Sequence, residues 1–141
     1  PGLDGQKMSK SYNNTIALRD DPREIEQKLR TMPTDPARAR RTDPGDPAKC
    51  PVFQLHEVYS DENRKQWVRE GCTTAGIGCL DCKQPIIDAV LGELAPIRER
   101  AREFEEDHQL VRNILREGSE AARDVAEETI DEVRAAIGLN Y

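Results

Sequence analysis

The stretch Ile87-Asp-Ala-Val-Leu-Gly-Glu-Leu-Ala-Pro-Ile-Arg-Glu-Arg-Ala-Arg-Glu-Phe104 places Ile87, Val90, Leu94, Ile97, Ala101 and Phe104 at alternating steps of three and four residues. Only a helix gathers that spacing on one face, with Pro96 expected to kink it or to open a new first turn. Working outward, Asp21-Pro22-Arg23-Glu24 reads as a helix start: an N-cap, a proline at the first position and an acid three residues on. That helix runs to about Thr31 and offers Ile25 and Leu29 to a partner surface. Val52, Phe53, Leu55, His56 and Tyr59 suit a short helix. Ser60 caps the next, which carries Trp67 and Val68 and ends at Gly71. Beyond the stripe, Leu110 to Leu115 forms a short piece that Gly118 breaks. A last helix then shows Ala122, Val125 or Ala126, Ile130, Val133 and Ile137, and stops at Gly138. Period-two alternation is nearly absent, so the fold class is all-α.

Composition agrees. The chain has 141 residues, 36% hydrophobic, 34% charged and only 4% aromatic, which predicts a thin helical core rather than a wide sheet. The net charge of −6 is unevenly placed: residues 92–141 hold 13 acids and 7 bases, whereas residues 1–91 hold 14 of each. A basic surface for nucleic acid therefore has to lie in the first two-thirds. No apolar run reaches membrane-spanning length and no signal peptide is present. The reading is a cytoplasmic protein with no membrane partner, which disfavours structural disulfides.

The chemistry begins near the start, at Lys7-Met8-Ser9-Lys10-Ser11. Two ammonium groups three positions apart can swing point charges onto a polyphosphate, and Ser9 and Ser11 can donate to its oxygens. Such a set suits a reaction that expels pyrophosphate, because negative charge builds on the leaving group. Residues 1–20 as a whole read as a mobile loop, with an Asn13-Asn14 turn. Prolines at 33, 36, 44 and 47 make residues 33–47 a connector that no helix survives.

The string KMSKS resembles the signature loop of class I aminoacyl-tRNA synthetases, where it closes over ATP during amino-acid activation. The family's other signature, a His-Ile-Gly-His-like tetrapeptide, does not occur, since the only histidines are His56 and His108. The chain is therefore expected to be the C-terminal portion of a synthetase and to lack half of the active site.

Four cysteines, Cys50, Cys72, Cys79 and Cys82, fall within 33 residues as C-x21-C-x6-C-x2-C. Cys79 and Cys82 sit on a glycine turn whose backbone N–H groups can point at thiolate sulfurs. A tetrathiolate metal site outweighs two disulfides or four buried thiols. Zinc and an iron–sulfur cluster stay level on spacing alone. The strings Arg41 to Pro47, Cys50-Pro-Val-Phe and Gly71 to Lys83 are similar to bacterial tryptophanyl-tRNA synthetases, and this resemblance extends from Pro1 to about Glu132. A subset of those enzymes carries a [4Fe–4S] cluster on nearly this cysteine spacing. Tyrosyl-tRNA synthetase, which shares the fold but typically varies the lysine loop and lacks the cysteine set, is the alternative within the family.

The resemblance implies that residues 1–48 are the tail of a Rossmann-type catalytic domain and residues 49–141 a helical anticodon-binding domain. It implies activation of L-tryptophan with ATP and Mg²⁺, transfer to tRNA(Trp), and a homodimer. Lys7 and Lys10 would stabilise the leaving phosphates, Ser9 and Ser11 would assist, and Met8 would pack beneath the loop. Cys50, Cys72, Cys79 and Cys82 would hold the cluster, with zinc as the alternative. Arg64, Arg69, Lys83 and Gln84 are the candidates for tRNA contact. The competing reading from another class is a stand-alone tRNA-binding or metal-binding module without ligase activity.

Overall fold

The computed structural model describes residues 1–139. Among them there are helices, turns and loops and no strand, as the periodicity predicts. Five α-helices follow in order: α1 (Pro22–Thr31), α2 (Pro51–Tyr59), α3 (Glu62–Thr73), α4 (Cys79–Glu106) and α5 (His108–Ala136). Short 3-10 turns sit at Lys10–Tyr12 and Pro47–Lys49. The chain divides into two compact units, Pro1–Arg98 and the residues from Glu99 on, with the division inside α4.

The first unit holds the core. Asp21 caps α1 by accepting from the Arg23 N–H at 2.8 Å, with Pro22 at the first position. The acid at Glu24 pairs forward with Lys28 at 2.7 Å. Ile25, Leu29 and Met32 pack with Val52 and Leu55 of α2 and with Ile86, Ile87, Val90 and Leu94 of α4. The apolar step seen in the sequence is thus the buried one from Ile87 to Leu94, while Phe104 is exposed.

No new helix opens at Pro96, and the expected break at Gly118 is absent. α4 runs through Pro85 and Pro96 without interruption; each ring removes one N–H from the ladder, and the packed residues between them hold the helix together. α5 likewise passes through Gly118. A single glycine costs a helix only about 1 kcal/mol, and the Leu, Arg and Glu residues around it are good helix formers. In the second unit α5 has no buried residue, and Ile114, Leu115, Val125, Ile130 and Val133 are exposed along it.

Residues 33–47 form no α-helix, yet they are closely tied. The buried Asp35 carboxylate accepts from the Ala37 and Asp46 N–H groups at 3.0 and 2.7 Å. The Gly45 N–H donates to the Cys72 carbonyl at 2.9 Å, so the connector is laid against the end of α3.

Candidate functional site: a phosphate loop and a four-cysteine cavity

The lysine loop is built rather than slack. Leu3 N–H donates to the Asn14 carbonyl at 2.8 Å, and Gly5 N–H to the Gly2 carbonyl at 2.9 Å. Inside this frame the buried Asn14 side chain accepts from the Ser9 N–H at 2.7 Å and donates to Lys7 O and Asp4 Oδ1 at 3.1 and 2.8 Å. That bond from Asn14, together with one from the Gln6 N–H, holds the Asp4 carboxyl below its ordinary value. Lys7, Lys10 and Ser11 face solvent. The Ser9 and Ser11 hydroxyls lie 2.8 Å apart, where one polyphosphate oxygen can meet both. Met8 does not pack beneath the loop, being 40% exposed; Asn14 fills that place. Hydrogen bonds thus tie residues 2–14 of the loop to one another.

The second feature is a cavity lined by all four cysteines, with Thr34, Asp35, Arg38, Val52 and Ile77. Cys50 precedes α2, Cys72 ends α3, and Cys79 and Cys82 open α4. The four residues that the C-x21-C-x6-C-x2-C pattern singled out thus line one cavity. No disulfide joins them. Burial pushes the Cys82 thiol up to about 12, and the other three cysteines push the same way. Burial also raises Cys72, against the pull of Arg38.

Two buried cations border this set. Arg38 points Nη1 at Cys72 Sγ (3.9 Å) and spends Nη2 on the Arg41 and Ile77 carbonyls at 3.0 and 2.6 Å. Its Nε is buried with no partner. The Lys83 ammonium donates to the Arg30 and Met32 carbonyls at 2.7 and 2.6 Å, closing the end of α1. Burial lowers its pKa, while the neighbouring Cys79, Cys50 and Cys82 raise it. His56, fully buried, sets Nε2 3.1 Å from the Cys82 carbonyl and 3.4 Å from its Sγ, with Nδ1 2.8 Å from Ser60 Oγ.

Fit to a metal can be judged from these donors. Among the described residues no three His, Cys, Asp or Glu side chains stand close enough to share one metal ion. A lone zinc ion therefore finds no ready cage. Four sulfur donors line one cavity, with the Arg38 guanidinium and the Lys83 ammonium near them and the Arg38 Nε buried without a partner.

The candidates for tRNA contact separate. Arg64 is exposed with its guanidinium 5.3 Å over the Trp67 ring. Arg69 lies 5.2 Å over Phe53 and 3.3 Å from Glu57, and Gln84 is exposed, bonded to Asp88 at 2.9 Å. Lys83 is corrected: it is 5% exposed, and its ammonium is spent inside the fold. Sequence reading missed Asn14, Arg38 and His56. Asn14 looked like an ordinary turn residue and His56 like one more member of an apolar face. Arg38 lay in a proline-rich connector, and no local signal marks it.

The family model described as "tRNA synthetases class I (W and Y)" matches residues 1–95. The chain belongs to that family. It is 60% identical to the tryptophan–tRNA ligase of Ralstonia nicotianae, over all of this chain and 35% of the relative. It is 48% identical to that of Thermotoga maritima, over all of this chain and 43% of the relative. A crystal structure of Campylobacter jejuni tryptophanyl-tRNA synthetase, complexed with ADP and tryptophan, superposes with a TM-score of 0.82 at 28% identity, covering 98% of this chain and 43% of that one. This member of the synthetase family therefore spans well under half the length of the curated relatives it matches. No helix among the described residues is long and apolar enough to cross a membrane.

Proposed function

We propose that this chain is the C-terminal part of a tryptophan–tRNA ligase and supplies its pyrophosphate-stabilising loop and its tRNA-reading helices. The observation that carries the reading is the KMSKS string in an ordered loop with Lys7 and Lys10 exposed, on a chain 60% identical to a tryptophan–tRNA ligase along its whole length. In the activation step the tryptophan carboxylate attacks the α-phosphorus of Mg²⁺-bound ATP, and pyrophosphate leaves. Lys7 and Lys10 place their charges on the departing β- and γ-phosphates, where negative charge grows, and the paired hydroxyls of Ser9 and Ser11 donate to the same oxygens. Transfer to tRNA(Trp) follows in the assembled cytoplasmic homodimer.

Residues 1–48 are read as the tail of the catalytic domain and residues 49–141 as the anticodon-binding domain. Arg64, Arg69 and Gln84 are the candidates there for contact with phosphate or base. Cys50, Cys72, Cys79 and Cys82 would hold a [4Fe–4S] cluster, which supplies covalent cross-linking of α2, α3 and α4 when bound. Arg38 and Lys83 offset the thiolate charge. His56 fixes Cys82.

The test is Lys10→Ala in the full-length protein that carries this chain. Tryptophan-dependent ATP–pyrophosphate exchange is expected to fall at least about a hundredfold, the scale of one lost transition-state donor, with tryptophan affinity kept. Equal losses in both would remove the leaving-group role.

A further inference from the structure

We propose that Asn14 is the positioning residue of the phosphate loop: its carboxamide clamps the backbone on either side of Met8, so that Lys7 and Lys10 are presented on a frame formed before nucleotide arrives. The inference rests on the loop's proposed role in activation. A carboxamide has one acceptor oxygen and two donor N–H groups, and all three functions are used. Oδ1 takes the Ser9 N–H at 2.7 Å, while Nδ2 gives to the Lys7 carbonyl at 3.1 Å and to Asp4 Oδ1 at 2.8 Å. The two main-chain bonds bracket the single residue Met8. The Asn14 carbonyl, held by the Leu3 N–H at 2.8 Å, fixes the clamp's own base.

Asn14 is only 3% exposed, although the lysines it serves face water, so the clamp stands under the loop and not among its ligands. Gly2 is shaped to admit it. A Cβ there would come within 2.5 Å of Asn14 Nδ2 and 2.8 Å of its carbonyl oxygen. Glutamine carries the same groups one methylene farther out, beyond the place Asn14 fills beside Gly2. Aspartate keeps the acceptor, loses both donors and sets a second carboxylate against Asp4, and alanine loses every bond. Holding the lysines' backbone in place in advance lowers the entropy lost when the phosphates are gripped, so the benefit falls on nucleotide and not on tryptophan.

The experiment compares Asn14→Ala, Asn14→Asp and Lys10→Ala in the full-length protein that carries this chain. ATP–pyrophosphate exchange, tryptophan affinity and hydrogen exchange at the Ser9 amide are measured, with circular dichroism to check that the helices are intact. Both Asn14 variants are expected to lose about tenfold or more in kcat/KM for ATP, the scale of two broken hydrogen bonds. Tryptophan affinity should stay within about twofold, and Ser9 amide protection should disappear. Asn14→Asp should be at least as impaired as Asn14→Ala. If Lys10→Ala is impaired while the Asn14 variants exchange like wild type, or while Ser9 stays protected in them, the clamp is wrong and the loop's role stands. If Lys10→Ala is itself unimpaired, it is the reading of the loop that falls, and loss of Ser9 protection alone then leaves Asn14 without a catalytic consequence. Tryptophan affinity falling in step with ATP would mark general damage and overturn the proposal as well.

Discussion

His56 is tied to Cys82 twice, by Nε2 at 3.1 Å from the carbonyl oxygen and 3.4 Å from the sulfur. A carbonyl only accepts, so Nε2 carries the proton, and the Ser60 hydroxyl is left to donate to Nδ1. The neutral ring is thereby satisfied at both nitrogens. A protonated ring would have to turn a second N–H onto Ser60 and carry its charge in a buried site.

Burial accordingly pushes the His56 imidazole below its ordinary value of 6.5. A group depressed in the folded state adds stability that is complete above its unfolded pKa and is lost as pH falls. The metal-free chain is therefore expected to hold its melting temperature above about pH 6.5 and to lose it as pH falls below that. His56→Gln should cost about 1–2 kcal/mol at neutral pH and flatten that slope. Parallel slopes in melts of both proteins would show that His56 is not the group responsible.

Gly45 and Gly118 are expected to respond to alanine with opposite signs. A Cβ at Gly45 would lie 2.6 Å from Cys72 Sγ and 3.2 Å from Arg38 Cδ, so Gly45→Ala should destabilise by about 1–3 kcal/mol and displace one cysteine. Gly118 lies inside α5 with nothing within 4 Å of such a Cβ. Gly118→Ala should stabilise by about 0.5–1 kcal/mol. Chemical denaturation of the two variants decides both, and a Gly45 variant as stable as wild type would argue against the close packing at Cys72.

Anaerobic reconstitution with iron and sulfide should give a brown protein with about four irons and four sulfides per chain. Cys79→Ser and Cys82→Ser should bind least, because both side chains leave the same first turn of α4. One zinc per chain and no sulfide, found by elemental analysis, would refute the cluster.

How far the sequence could be read depended on whether a signal was local. The stripe from Ile87 to Leu94 predicted a buried helical face because helix geometry links near neighbours, and the cysteine pattern marked four residues that line one cavity. What stayed hidden was decided over long separations. Arg38 bonds to the carbonyl of Ile77 across 39 residues, and His56 to that of Cys82 across 26. Lys83 carried a misleading signal: a lysine beside a cysteine knuckle looks like surface charge, and only the packing of α4 on α1 buries it. Pro96 and Gly118 are real local penalties, but each is small beside the helix that surrounds it.

The exposed apolar residues of α5 bear on assembly. Ile130, Val133 and Ile137 share one helical face and are 45–62% exposed, and such faces drive association when left uncovered. The 141-residue chain is expected to sediment above its 15.9 kDa monomer mass at high micromolar concentration. Replacing those three residues by serine should return it to monomer. A monomeric wild-type chain under the same conditions would count against this.

The two bonds from Lys83 join carbonyls made 53 and 51 residues earlier in the chain. At a synthesis rate of about 5–20 residues per second, the last turn of α1 waits about 3–10 s on the ribosome for the ammonium that closes it. Until then those carbonyls face water and the helix end frays. The end of α1 is therefore finished in step with the cysteine-bearing helix rather than ahead of it, and a ribosome stalled before residue 83 would carry a nascent chain in which α1 has no closed end.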